Sequence, residues 1–190
     1  MKRFIDVALS LCAIILLIPL FIVVSCLILI TSGRPIFYVQ ERVGKGGRIF
    51  RIIKFRTMVR DADELKASLL SENEAPFPFF KIKNDSRITQ IGRILRRTSI
   101  DELPQLFCVL RGDMSIVGPR PVLKEEAEHL DALRFTVHPG LTGPTQIYRG
   151  VRITPSERAM LESEYILAEH RLLTDMRIIL ATVRVVFRGE

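Results

Sequence analysis

The residues whose types and spacing could carry chemistry lie between Arg96 and Pro121, in the stretch RRTSIDELPQLFCVLRGDMSIVGPRP. Two adjacent carboxylates, Asp101 and Glu102, follow a basic cluster that includes Arg96, and Arg120 lies between two prolines at the end of the stretch. A carboxylate can attack phosphorus covalently, and Mg²⁺ binds to a few protein carboxylates together with substrate phosphates. The pattern is compatible with phosphoryl chemistry, with Asp101 as nucleophile and metal ligand and with Arg96 and Arg120 holding phosphates.

The same residues also have a purely structural interpretation. Ser99 to Glu102 has the spacing of a helix capping box. With Ser99 as the cap, Pro104 falls at the fifth helical position and deletes a hydrogen bond, whereas with Asp101 as the cap it falls at the third, where no bond is needed. Local reasoning thus favours Asp101 as a plain N-cap, and a carboxylate at such a helix start lies in a field that favours anions.

A second feature is the uncharged apolar run Val7 to Ile30, whose 24 residues are enough to cross a membrane. It is too long for a signal peptide and has no cleavage site. Pro19 lies at its centre, where it removes an N–H and clashes with the carbonyl of Ile15, leaving arms of about 12 residues, or about 18 Å each. Basic residues flank both ends, so charge gives no orientation. A kinked spanning helix and a re-entrant hairpin remain as alternatives.

Composition limits the partners. The net charge is +7, and residues 34–190 supply most of it, which suits anionic lipid and phosphate-bearing substrates. No zinc-finger, RNA-recognition or homeodomain signature supports nucleic acid. The three cysteines lack C-x-x-C spacing and are expected to be reduced, in a cytoplasmic setting. We divide the chain into a membrane segment, residues 1–33, and a cytosolic, membrane-associated domain, residues 34–190.

Within the second part, the pattern predicts strands at 36–43 and 48–58 joined as a hairpin, with Lys54 and Arg56 on one strand face. Helices are predicted at 61–72, at 90–98 with Thr89 as cap, and at 155–170 after a capping box at Thr154. The last, 174–188, reads as an interfacial helix or as a core helix with an exposed arginine stripe; its arginines are Arg177, Arg184 and Arg188.

Several motifs in order make the chain resemble the bacterial sugar transferase family, the small monotopic phosphoglycosyl transferases. The resemblance covers nearly the whole sequence. Its motifs are Lys2–Asp6, Pro19, Lys54–Met58, Ser99–Leu106, Gly112–Pro121, Pro139–Gly143 and Gln146.

The resemblance implies transfer of a phospho-sugar from a UDP-sugar to polyprenyl phosphate, with release of UMP, dependence on Mg²⁺ and a covalent intermediate on Asp101. Glu102 would support the metal or the second-step proton transfer, and Lys54, Arg56 and Gln146 are weaker candidates for substrate contact. The fold implied is α+β: a re-entrant helix-break-helix on the cytoplasmic face of the bacterial inner membrane, a small β-hairpin and amphipathic interfacial helices around a catalytic core.

Departures from the family pattern leave the sugar and the pathway open. Ile18 stands where well-known members have Ser before the proline, Cys108 where Asn is frequent, and Pro144 and Thr145 follow the Gly-Leu-Thr-Gly loop. The rival functions are a membrane-tethered phosphatase or pyrophosphatase and a non-catalytic protein that binds anionic lipid. The oligomeric state is open, with a homodimer as one option. His129, His138 and His170 are isolated, and Asp113 is expected to brace a loop.

Overall fold

A computed structural model describes residues 1–148, 151, 153–168 and 171–188, without the side chains of residues 171, 187 and 188. His170 and the Arg188 side chain, both considered above, lie outside the described residues. Helices predominate and the strands form small sheets, so the predicted α+β class is confirmed. Strands β1 and β2 pair antiparallel, whereas β3 and β4 pair parallel.

The elements in chain order are α1 (Lys2–Ser32), β1 (Phe37–Val43), β2 (Ile49–Phe55), α2 (Ala62–Leu65), α3 (Gln90–Arg97), α4 (Leu106–Arg111), β3 (Ser115–Val117), α5 (Lys124–Ala127), β4 (Gly140–Thr142), α6 (Pro155–Leu167) and α7 (Arg171–Arg188). Short 3₁₀ helices cover Lys45–Gly47, Ala67–Glu72, Ile100–Gln105, Ala132–Thr136 and Gln146–Tyr148.

Helix α1 contains the apolar run and is long and apolar enough to cross a membrane. Its helical backbone continues through Pro19, so the structure has one 31-residue helix where two arms with a break were expected. In apolar surroundings a helix tolerates a proline when neighbouring groups and small backbone adjustments accommodate the lost bond. At 1.5 Å per residue the path along the helix axis is about 46 Å, and a proline inside a helix is a common cause of a bend in that axis.

One face of α1 packs against the rest of the protein along almost its whole length. Its buried residues are Asp6, Ser10, Ile14, Val24 and Ile28, and at 100° per residue all of them fall on one side of a helix. The opposite side is apolar and exposed, with Leu16 at 79% and Ile30 at 82%. A continuous apolar surface of this kind marks contact with a membrane or another protein.

Polar contacts bind the N-terminal end of α1 to strand β3. Asp6 accepts hydrogen bonds from Ser115 Oγ at 2.8 Å and from the Ile116 amide at 3.1 Å. Lys2 pairs with Asp175 of α7 and donates to the Val117 carbonyl. These charge-assisted bonds fix the first turn of the helix next to the strand that leads into Gly118.

The C-terminal end of α1 contacts the same globular body. Val24 and Ile28 pack in one apolar cluster with Phe55 and Leu95. Arg56 Nη2 donates to the carbonyls of Ser32 and Gly33 at 2.6 and 2.7 Å. Carbonyls at a helix end lack intrahelical partners, so the guanidinium caps the helix.

Local sequence signals predicted several elements correctly. The hairpin β1–β2 is confirmed, with Tyr38 opposite Lys54. Thr89 accepts a bond from the Gly92 amide and caps α3, and the Thr154–Glu157 capping box precedes α6. The single helix predicted at 61–72 is wrong, because α2 ends at Leu65 and a 3₁₀ helix follows from Ala67.

Helix α7 buries Asp175 and Ile178 and exposes an apolar stripe. The stripe consists of Leu172, Leu173, Met176, Leu180 and Val183. Arg177 and Arg184 are also exposed. An exposed apolar stripe with arginines beside it is typical of a helix that lies in a membrane surface, where long basic side chains reach the head groups.

Gly92 allows α3 to approach the chain that follows β2. A Cβ atom at this position would lie 2.0 Å from the Thr57 carbonyl oxygen, well inside contact distance. Arg96, one helical turn further on, donates from Nε to Thr57 Oγ1 at 2.8 Å. The close approach therefore sets the position of Arg96.

We expect Gly92→Ala to lower the free energy of unfolding by about 1–3 kcal/mol, because α3 must move away from Thr57. Thermal unfolding in detergent micelles measures the change. Gln90→Ala, on the exposed first turn of the same helix, is the control and should shift stability by less than about 0.5 kcal/mol. Equal stability of the two variants would contradict the close approach.

Candidate active site

Asp101 lies in the first turn of the 3₁₀ helix Ile100–Gln105 and is 8% exposed. The residue before the helix is Ser99, so the prediction of Asp101 as N-cap is wrong. The helix begins earlier than predicted because Ser99 turns the chain in the left-handed region. The segment that contains Pro104 is a 3₁₀ helix, which is wound more tightly than an α-helix. Helix α4 then continues from Leu106.

Ser99 carries backbone strain close to the candidate nucleophile. Its φ is +57°, and among the described residues it is the one non-glycine with positive φ. This conformation costs an L-residue about 1–2 kcal/mol. Such strain is concentrated at functional sites, where the surrounding structure enforces it. Here it reverses the chain between α3 and the 3₁₀ helix.

Arg96 is the main cation near Asp101. Burial lowers the pKa of its guanidinium, while the carboxylates of Asp101, Asp85 and Glu102 raise it. The guanidinium is therefore within electrostatic range of Asp101. The hydrogen bond from Arg96 Nε to Thr57 Oγ1 also fixes the position of the side chain.

Lys54 and Glu102 form the second charged pair of the site. Lys54 Nζ lies 2.6 Å from Glu102 Oε1, and both side chains are partly exposed. Strand β2 thereby supplies a cation to the same turn that carries Asp101. The structure thus brings Asp101, Glu102, Arg96 and Lys54 into one charged cluster.

Arg56 does not share the environment of Lys54, so the prediction that these two residues form one basic strand face is wrong. The strand ends at Phe55, and the Arg56 side chain turns to the end of α1. Its Nε and Nη1 are buried and have no hydrogen-bond partner in the described part of the chain. Burial, followed by the nearby Arg60, lowers the pKa of Arg56.

Arg42 is a residue of the site that sequence reasoning missed. Its Nη1 donates to the Pro121 carbonyl at 3.4 Å. Burial and then Arg120 lower the pKa of Arg42, whereas Glu126 and Glu102 raise it. The guanidinium therefore lies within electrostatic range of both Arg120 and Glu102. The polar alternation along β1, with Tyr38, Gln40 and Arg42 on one side, was the signal that could have found it.

Two other candidates lie apart from the carboxylates. Gln146 begins a short 3₁₀ helix, and its Oε1 accepts a bond from Thr145 Oγ1 at 3.1 Å beside Gly143. Asp113 pairs with Arg111 at 3.0 Å, which agrees with a bracing role.

The carboxylates suit a magnesium ion that binds mainly to substrate. Asp101 and Glu102 are adjacent, and within the described ranges no group of three or more potential ligands surrounds them. Mg²⁺ is typically held by one or two carboxylates, with waters and substrate phosphates completing the octahedron. The residues therefore fit a substrate-bound Mg²⁺ and not an all-protein metal cage.

Several known proteins have sequences similar to that of this chain. The chain is 40% identical to the galactosyl transferase CpsE of Streptococcus agalactiae over 99% of its length and 42% of that protein. It is 38% identical to the exopolysaccharide production protein ExoY of Sinorhizobium fredii, over 96% of the chain and 83% of ExoY. It is 37% identical to the undecaprenyl-phosphate galactose phosphotransferase of Salmonella typhimurium, over 100% of the chain and 41% of that relative.

The chain thus spans about two fifths of the length of CpsE and of the Salmonella protein. The model of the family described as bacterial sugar transferase matches residues 1–189. The match includes α1, the carboxylate pair and the Gly118–Pro121 segment, and on this evidence the chain belongs to the bacterial sugar transferase family.

Proposed function

We propose that the protein transfers a sugar 1-phosphate from a UDP-sugar to polyprenyl phosphate and releases UMP. The names of relatives support the two substrate classes, since one is an undecaprenyl-phosphate galactose phosphotransferase and another acts in exopolysaccharide production. The observation that carries the proposal is the buried Asp101 carboxylate in the field of Arg96, with the Glu102–Lys54 pair beside it.

In the first step, an Asp101 carboxylate oxygen attacks the β-phosphorus of the UDP-sugar. A bond forms between that oxygen and phosphorus, and the bond from phosphorus to the bridging oxygen breaks. The bridging oxygen leaves with the electron pair as part of UMP, and an aspartyl phospho-sugar remains. Arg96 is placed to offset the negative charge that accumulates on the phosphoryl oxygens.

In the second step, a phosphate oxygen of polyprenyl phosphate attacks the same phosphorus. The bond to Asp101 breaks, the carboxylate is regenerated, and the product is a polyprenyl diphosphate sugar. This sequence gives ping-pong kinetics. Glu102 would help to hold Mg²⁺ or take the acceptor proton, and its ion pair with Lys54 fixes the side chain for either role.

Asp101 and Glu102 would hold Mg²⁺, which supplies Lewis-acid polarisation of the phosphoryl oxygens when bound. Arg120 is a further candidate for phosphate contact, because its exposed side chain extends from a loop within range of Arg42. Arg56 contributes chiefly by capping α1. Gln146 lies beside Gly143, and we propose that it stabilises this turn.

We further propose that α1 is re-entrant, with both ends on the cytoplasmic face of the bacterial inner membrane. A spanning helix would separate its two ends by the hydrocarbon core, which is about 30 Å thick. Here the polar bonds of Asp6 and Lys2 at one end and the Arg56 cap at the other join both ends to the same globular body. The exposed apolar stripe of α7 supports contact of that body with the membrane surface.

We expect Asp101→Asn to reduce UMP release from a UDP-sugar and polyprenyl phosphate by at least about 10³-fold, because the amide cannot act as the nucleophile. Glu102→Gln should retain more activity than Asp101→Asn. The assay uses purified enzyme, Mg²⁺ and a panel of UDP-sugars.

Asp61→Asn is the matched control, because Asp61 is an exposed carboxylate with no side-chain capping bond. It should stay within about twofold of the native rate. Full activity of Asp101→Asn would contradict the assignment. Release of inorganic phosphate without a lipid acceptor would favour the phosphatase alternative.

The topology is tested by labelling with a membrane-impermeant maleimide. The native cysteines in α1, Cys12 and Cys26, are replaced by alanine, and the buried Cys108 is kept. One cysteine is inserted after Met1, and a second variant carries Glu41→Cys at an exposed position. We expect both to react in inverted vesicles and neither in intact spheroplasts. Labelling of the N-terminal cysteine from outside would show that α1 spans the membrane.

A further inference from the structure

The loop that carries Arg120 has four consecutive backbone carbonyls that accept hydrogen bonds from outside the loop. Each accepts a hydrogen bond from a residue distant in sequence, and the donors come from three parts of the chain, so the loop is fixed from several directions. The carbonyls of Pro119, Arg120, Pro121 and Val122 accept from the Gly140 amide at 2.9 Å, Arg134 Nη2 at 2.8 Å, Arg42 Nη1 at 3.4 Å and the Val43 amide at 2.9 Å.

Arg134 and Arg42 are the two charged donors among the four, and Arg134 is the more buried of them. It lies in the 3₁₀ helix Ala132–Thr136, and its Nη2 is also 3.4 Å from Glu162 Oε1 of α6. Arg134 is 6% exposed and Glu162 is 4% exposed. The hydrogen bond to the Arg120 carbonyl approaches the loop from its buried side.

A buried ion pair is by itself weak evidence of a gain in stability. Burial of two charges has a desolvation cost that can exceed their attraction, and apolar replacements of such pairs are often neutral or stabilising. Burial raises the pKa of Glu162 against the opposing effects of Arg134 and Arg158, which reflects this cost. A role in positioning explains why the pair lies directly behind the loop.

We propose that Arg134, held by Glu162, is a positioning residue for Arg120. The inference rests on the proposed function, in which Arg120 contacts a phosphate of the UDP-sugar. Pro119 and Pro121 restrict φ on both sides of Arg120, and Arg134 fixes the one carbonyl between them. The exposed Arg120 side chain thus starts from a fixed backbone, which reduces the entropy lost when it binds phosphate.

A double-mutant cycle tests the inference. kcat/KM for the UDP-sugar is measured for the full chain and for Arg134→Lys, Arg120→Ala and the double variant. Lysine keeps the charge of Arg134 but cannot bridge Glu162 and the carbonyl with a planar fork. We expect about tenfold loss for Arg134→Lys and about 30-fold for Arg120→Ala, with less than twofold further loss when Arg134→Lys is added to Arg120→Ala.

Arg111→Lys is the matched control. Arg111 also donates to a carbonyl, that of Arg51 at 2.9 Å, and pairs with Asp113, but it does not contact the Arg120 loop in the described structure. Its effect should be the same with and without Arg120. Binding of UDP by calorimetry, as a readout independent of turnover, should weaken with Arg134→Lys by a factor similar to that seen for kcat/KM.

If Arg134→Lys fails to fold, Glu162→Gln replaces it in the cycle, with about threefold loss expected and again none in the Arg120→Ala background. Equal losses in both backgrounds would overturn the positioning role, because Arg134 would then act independently of Arg120. An unchanged kcat/KM for the UDP-sugar in Arg120→Ala would overturn it as well, because it would show that Arg120 does not contact a phosphate of that substrate. Absence of UMP release by the native chain is a different outcome and would refute the proposed function itself.

Discussion

A carboxylate that is almost fully buried needs a compensating charge, and this requirement organises the structure around Asp101. Arg96 supplies the charge and is itself mostly buried, so each group depends on the other. The side chain of Arg96 reaches its position because Gly92 lets α3 approach Thr57. The strained Ser99 then returns the chain so that Asp101 follows α3 by only a few residues. The Asp101 carboxylate is thus held by its surroundings before any ligand binds.

The same body is tied to α1 at two places that adjoin the site along the chain. At one end Asp6 binds β3, which continues directly into Gly118 and Arg120. At the other end Arg56 caps the helix two residues after Lys54, the partner of Glu102. The position of α1 and the position of the charged cluster are therefore set by shared backbone. This arrangement suits a reaction between a water-soluble donor and a lipid phosphate.

Local signals in the sequence predicted the local features. The Thr89 cap, the hairpin, the Thr154 capping box and the carboxylate pair beside basic residues follow from spacing within a few residues. Long-range contacts were not predictable in this way. Capping of α1 by Arg56, the approach of Arg42 to the Arg120 loop and the Arg134–Glu162 pair join residues separated by 23 to 79 positions. The N-cap assigned to Asp101 failed because propensity does not reveal that Ser99 adopts positive φ under tertiary constraint.

The most direct test of the account is capture of the covalent intermediate. Native protein is incubated with Mg²⁺ and a UDP-sugar labelled at the β-phosphate, without polyprenyl phosphate, and is then analysed by intact mass and peptide mapping. The account predicts that one phospho-sugar attaches to Asp101 and that addition of polyprenyl phosphate removes it. Attachment to another residue, or product formation with no labelled protein under any condition, would contradict the account.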